Sequence, residues 1–456
     1  MLIMFLTTGG FSLWLSRYRP LKAQTSIDLV QLNSMPDKSK TFTKFLNLAQ
    51  EQAQKNPYKD KKHPPFLYWG LTHNSFYQLE IPNYPNRLRV KPQGENQLSV
   101  FESDKNFADY PARGVIPEIH AKELKFLHED IKEACICLAQ FQAGKLVTKW
   151  LGRNALNDGE FWSGTKIIPL TYILHASNQN NPVANPQQYT IQGLTEQKTE
   201  VNLPFDKIAQ DIVSYQNDHL ENEQYSSNSL TGMLKRFVPQ EKLEAWFKDI
   251  TGNQNLTFRG RYGENPLTDQ PQLIDSSTEK VILCADPKLP NFCDCNSVSA
   301  YDLTRMISLI GWHQYLAKEA QIEGIKAESL DILLKALGND PARLTDLAIE
   351  ELGMQDQLKN VVILSKLGNG VTSIRQRTEA VYVALIQGID TRTQPAKQIM
   401  LSMALRGGLA LENRVNDQGE KNPEVLERER IELDARMATE VTEILGRSLN
   451  YALDFS

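Results

Sequence analysis

Ser163 and Lys166 stand three residues apart in the run Phe161-Trp162-Ser163-Gly164-Thr165-Lys166-Ile167-Ile168. On a helix, positions i and i+3 are neighbours, so this spacing turns a hydroxyl and an amine the same way. A serine hydroxyl is a poor nucleophile until a base takes its proton. A lysine is such a base when burial disfavours its charged form, and Phe161, Trp162, Ile167 and Ile168 offer the apolar surroundings. A serine at a helix start also meets unpaired backbone N–H groups and the positive end of the dipole, the donors a developing oxyanion needs. The same four residues also describe an N-cap serine and a surface lysine, and a pattern with two fixed positions is common by chance.

Two further stretches add to it. Tyr225-Ser226-Ser227-Asn228 precedes an apolar helical run, and Ser365-Lys366-Leu367-Gly368 ends an apolar strand-like run. In order these read Ser-x-x-Lys, Tyr-Ser-x-Asn and Lys-x-Gly, a set that resembles the β-lactamase and penicillin-binding superfamily of serine hydrolases. The resemblance covers roughly residues 119–456. Ser226 follows Ser163 by 63 residues, and Lys366 follows Asn228 by 138, an enlarged insert.

The resemblance implies roles. Ser163 would be the acylated nucleophile and Lys166 its proton acceptor. Ser226 would pass a proton toward the leaving group, and Asn228 would hydrogen-bond the substrate amide. Lys366 would set positive charge near a substrate carboxylate. The N–H groups of Ser163 and Asn369 would form the oxyanion hole, with Gly368 letting substrate backbone come close to the strand. For deacylation the candidate base is Glu264, 36 residues after Asn228 in a Gly-rich loop; a solvated loop carboxylate or a partner of Arg259 or Arg261 is the other reading of it. Leu367 departs from the family's Thr or Ser, a hydroxyl that helps hold the substrate carboxylate. Ser227 stands where many relatives have Asp.

These residues need elements to hold them. The segment 119–134 carries Leu124, Leu127, Ile131 and Ala134 at helical spacing and reads as an amphipathic helix. Residues 134–141 and 146–155 read as two strands joined by a turn at 142–145. The middle, about 167–355, reads as an all-helical insert. Three β-rich runs follow between about 360 and 407, and a last helix closes the chain. The expected fold is α+β: an antiparallel five-stranded sheet flanked by helices, first and last helix on one face, plus an all-helical subdomain. The expected boundaries are 1–23, a membrane anchor or signal-like segment; 24–115, an accessory N-terminal region; and 116–456, the hydrolase domain.

Composition bounds the class. The 456 residues carry a net charge of −5, with 41% hydrophobic and 23% charged residues, so the chain is globular and lacks the basic excess of a nucleic-acid surface. Five cysteines preclude a fully paired intramolecular framework; one link from Cys284 to Cys293 or Cys295 stays open. No histidine pairs at metal spacing, and no phosphate loop or dinucleotide fingerprint is present, so neither metal nor cofactor is expected. His175 and His313 read as core or rim histidines. The apolar run 1–15 is short for a spanning helix, which takes roughly 20 residues, yet an anchor through it, and a place in the cell envelope or periplasm, is the expectation. The expected substrate is a β-lactam, a peptidoglycan stem peptide or an ester. Two other readings stand beside this one: an inactive member of the fold that binds or assembles envelope components, and a helical scaffold with chance motifs. The last fails if residues 134–153 lie beside 360–406 in one sheet.

Overall fold

The computed structural model describes residues 36–55, 64–96, 107–216, 225–286, 296–372, 374–415 and 421–449. The apolar N-terminal run, Cys293 and Cys295 lie outside them. Five long strands form the backbone of an eight-stranded sheet: β1 (Ile131–Gln142), β2 (Lys145–Arg153), β3 (Leu358–Thr372), β4 (Arg377–Asp390) and β5 (Lys397–Leu409). Their order is β3-β4-β5-β1-β2, all antiparallel, and three two-residue strands pair at the margins. Residues 401–407 lie beside 131–138, which ends the chance-motif scaffold.

Strand alternation sorts the core into two layers. Leu364, Val381, Val383, Leu385 and Ala404 face one layer with helix α6 (Ala300–Gly311). Ile363, Leu367, Tyr382, Ala384 and Leu405 face the other, where helix α8 (Pro423–Leu449) packs together with α1 (Lys38–Lys55) and α2 (Pro65–Thr72). Phe45, Phe66 and Leu67, from the stretch expected to be accessory, are thus buried in the same core as the sheet.

Two expectations are corrected. Residues 121–130 form turns, not a helix, and Ile131 begins β1. Arg153 is the reason: its guanidinium collects the carbonyls of Leu124 (3.0 Å), Leu127 (2.7 Å) and His128 (2.7 Å), which a helix would keep for its own N–H groups. The middle is not all-helical either. Between α3 (Ile167–Asn180), α4 (Phe205–Ser214), α5 (Ser227–Leu234), α6 and α7 (Ala327–Gly338) lie a four-stranded sheet (Tyr189–Leu194, Glu200–Pro204, Gln272–Asp275, Lys280–Cys284) and a three-stranded one. Cys135, Cys137 and Cys284 carry no disulfide. Among the described residues no helix is long and apolar enough to cross a membrane.

The packing of α2 on α8 turns on one acid. Asp434 is buried, accepts the Phe66 N–H at 2.7 Å, and desolvation pushes its pKa up to about 8. The folded carboxyl therefore keeps a proton that the unfolded chain releases near pH 4, so stability falls as pH rises from about 4 to about 8. Asp434→Asn should keep the N–H acceptor and remove that loss. Its unfolding free energy from urea titration should match wild type near pH 4 and exceed it at pH 8 by on the order of a few kcal/mol, at about 1.4 kcal/mol per pKa unit.

Candidate active site

Ser163 lies on a 3-10 turn, Trp162–Lys166, that runs directly into α3. In a 3-10 turn residues i and i+3 eclipse, so Ser163 and Lys166 share one side more strictly than in an α-helix. Trp162 enters the turn at φ +44°, a conformation costly for a bulky residue and held only by its surroundings. Its indole N–H donates to Glu379 at 3.0 Å, and its ring lies where a Cβ on Gly370 would stand, 2.4 Å away. Burial would raise the Glu379 pKa, but hydrogen bonds from Arg375 and Arg377 hold the carboxylate below its usual range and keep it charged.

The edge of β3 comes against this turn. A Cβ on Gly368 would lie 2.7 Å from the Gly164 nitrogen and 2.9 Å from that of Ser163. The strand can approach the serine this closely only as glycine. Asn369, the next residue, lines a cleft of about 460 Å³ together with Ser163, Tyr215, Ser227, Asn228 and Glu264.

Lys166 is fully buried. Its Nζ donates to Ser227 Oγ at 2.8 Å, with the rings of Tyr215 and Tyr262 at 5.5 and 5.8 Å. The hydroxyl on Lys166 is thus one residue later than the sequence placed it. Ser226 lines the same cleft, but caps α5: its Oγ accepts the Ser229 N–H at 3.1 Å and donates to Glu264, and Ser229 Oγ returns a bond to the Ser226 N–H at 2.9 Å. Ser227, the first residue of the helix, is turned inward. Asn228 Nδ2 donates to Glu264 at 3.1 Å, so the loop glutamate meets both flanks of Ser227.

Lys366 lies behind the cleft instead of in its wall. It is fully buried, its Nζ 3.4 Å from the Tyr215 ring centre and 3.3 Å from the Val213 carbonyl. Leu367 is buried against the α8 layer, and its carbonyl accepts the Tyr215 hydroxyl at 2.6 Å. Tyr215 itself ends α4 with φ +55°. Sequence reasoning missed Ser227, Tyr215 and Tyr262. Only Ser227 carried a signal, as the second serine of the pair.

The glutamate loop is anchored from below. Lys235 donates to the Gly260 carbonyl at 2.7 Å, and burial lowers its pKa to about 7. Burial alone would raise Glu244, yet hydrogen bonds from Arg259 and the Phe258 N–H bring its pKa down to about 2. His175 and His313 stand apart from the cleft lining, bonded to the carbonyls of Glu323 and Ile322. Among the described residues no group of three or more His, Cys, Asp or Glu is placed to hold a metal.

No family model matches the chain, and no curated protein matches it. The solved structures it matches include β-lactamases and penicillin-binding proteins. A β-lactamase from Desulfarculus baarsii aligns at 14% identity and TM-score 0.36, over 70% of this chain and 93% of that one. A β-lactamase from Xanthomonas campestris aligns at 11% and 0.36, over 69% and 92%. The transpeptidase domain of a D,D-transpeptidase from Legionella pneumophila aligns at 13% and 0.27, over 67% and 89%. Overlaps this loose assign no chemistry, and the site's own geometry has to carry the function.

That geometry makes Gly368 a sensitive point. Gly368→Ala should cost about 1–3 kcal/mol through overpacking, seen as a lowered thermal midpoint. It should also push the Ser163 turn away from the strand edge and slow any reaction at Ser163 by tenfold or more.

Proposed function

We propose that this chain is a serine hydrolase or acyltransferase that forms an acyl-enzyme on Ser163, of the β-lactamase or penicillin-binding type, acting on an amide or ester bond. The observation that carries the reading is the buried Lys166 amine bonded to Ser227 at 2.8 Å, one turn from Ser163, at a cleft that Asn369 also lines. Lys166 takes the Ser163 proton as Oγ attacks the carbonyl carbon. The Ser163 and Asn369 N–H groups receive the negative oxygen. Lys166 then returns the proton through Ser227 to the leaving amine or alcohol. Asn228 orients the substrate amide. Glu264 is the base that activates water for deacylation, and Ser226 holds it in place. A site in the cell envelope, where peptidoglycan peptides and β-lactams occur, fits this chemistry.

One observation favours the second reading, a binding member of the fold with weak catalysis: Lys366 and Leu367 are both withdrawn from the cleft. Labelling with a fluorescent penicillin, followed by mass spectrometry of the adduct, separates the two. The wild-type protein should gain one acyl group on Ser163, lost in Ser163→Ala. Ser227→Ala should slow labelling by about 10²-fold or more, the usual weight of a proton-transfer group, and Ser226→Ala should slow it far less. A folded protein that takes no acyl group from any β-lactam or activated ester supports the binding reading.

Glu264 gives a separate check. Glu264→Gln should lengthen the lifetime of the acyl-enzyme by at least tenfold, followed by the return of unmodified mass after excess penicillin is removed. An unchanged lifetime removes Glu264 from the mechanism.

A further inference from the structure

A second groove, of about 680 Å³, lies on the outer face of the four-stranded sheet, away from the residues around Ser163. Its floor is a row of side-chain amides. Asn202, Gln192 and Gln272 are direct register partners on three neighbouring strands, so their side chains stand about 4.5–5.5 Å apart on one face. Ile191 and Leu273, next in sequence to two of them, point into the core instead. All three amides are exposed, and among the described residues none has a hydrogen-bond partner. The segment 266–270 forms the wall. Thr268 packs onto the sheet where Gly193 leaves room, since a Cβ there would lie 2.7 Å from the Thr268 hydroxyl. The same hydroxyl accepts the Gln270 N–H at 3.3 Å. Among the described residues no lysine or arginine lines the groove. Of its carboxylates, Glu196 accepts from Asn265 at 3.3 Å and Asp269 meets Arg236 at 3.4 Å, which leaves the charge of Glu200.

We propose that this groove is a binding site for an uncharged oligosaccharide. Each side-chain amide offers a donor and an acceptor side by side, which matches two neighbouring hydroxyls of a sugar ring. Three such amides in register repeat that match along the groove. Leu194, 54% exposed, and Pro266 supply apolar surface for the C–H faces of the rings. A phosphate or carboxylate would find no cation here and would face Glu200. A polycation would find two of the three carboxylates already engaged. A peptide that binds as an added strand needs a free sheet edge, whereas Gln192 and Gln272 stand on the two central strands, whose main chains pair on both sides. The volume falls within the roughly 300–1,000 Å³ of small-molecule sites. The site stands apart from the acylation chemistry and holds whether or not Ser163 reacts.

The test titrates the full chain with four uncharged tetrasaccharides, of α-linked glucose, β-linked glucose, mannose and N-acetylglucosamine, and reads binding by calorimetry. At least one should bind with a Kd of about 1 mM or tighter, and about 0.5 M salt should leave that value unchanged, since no charge is paired. Gln192→Ala/Gln272→Ala should weaken binding at least tenfold, the usual net weight of two hydrogen bonds. Its thermal midpoint should stay near wild type, because both side chains are exposed. Asn202→Ala, made separately, should weaken binding about fivefold, so the site is tested even if the double variant folds poorly. Ser163→Ala should bind as wild type does. Absence of binding by all four sugars up to about 10 mM overturns the site, as does unchanged binding in the amide variants. Binding lost in Ser163→Ala would place the sugar in the cleft and overturns it too.

Discussion

An amine cannot be buried without a partner. Lys166 has no exposed surface and sits between two aromatic rings, so the acceptor it finds on Ser227 is a condition of its burial. That one bond ties the 3-10 turn before α3 to the start of α5, 61 residues away. The third piece arrives by shape instead of polarity: the β3 edge fits against the turn because Gly368 presents no Cβ there. Two constraints of different kinds, one electrostatic and one steric, therefore fix the three segments on which any chemistry at Ser163 depends.

What was legible in the sequence is what is local. Ser163 and Lys166 share a side because of a three-residue spacing, and the spacing survives the change from α to 3-10 geometry. The long strands were legible too, since their apolar runs are buried on both faces. The serine pair at 226 and 227 was ambiguous because two demands compete for it. A helix start needs a capping hydroxyl and a buried lysine needs an acceptor, and only the packed structure shows Ser226 meeting the first and Ser227 the second. The segment 119–134 misled because its apolar spacing has the helical period, while the deciding partner, Arg153, is a strand residue more than twenty positions on. The small sheets carry polar residues such as Gln192, Asn202 and Gln272 on an exposed face, which blunts the alternation that marks a strand.

Tyr215 shows what no pattern reveals. Its ring faces the Nζ atoms of both Lys166 and Lys366, its hydroxyl bonds the Leu367 carbonyl, and it forms part of the cleft wall. It reaches this place through a left-handed turn at the end of α4. One aromatic residue thus lines the cleft while its ring lies 3.4 Å from Lys366 Nζ, and Lys366 itself does not line the cleft.

The 258–266 loop lines the same cleft. It presents Arg261, Tyr262 and Glu264 to one cleft: a cation, an aromatic wall over Lys166 and a carboxylate beside Asn228. The loop is tied at both ends. Glu244 binds the Phe258 N–H and the Arg259 guanidinium, and the Ser229 carbonyl binds the Leu267 N–H at 3.2 Å. The turn that carries Ser163 is held by Trp162 on Glu379 and is tied to this loop as well, since the Thr165 and Tyr262 hydroxyls bond at 3.0 Å, so a change in the loop reaches Ser163.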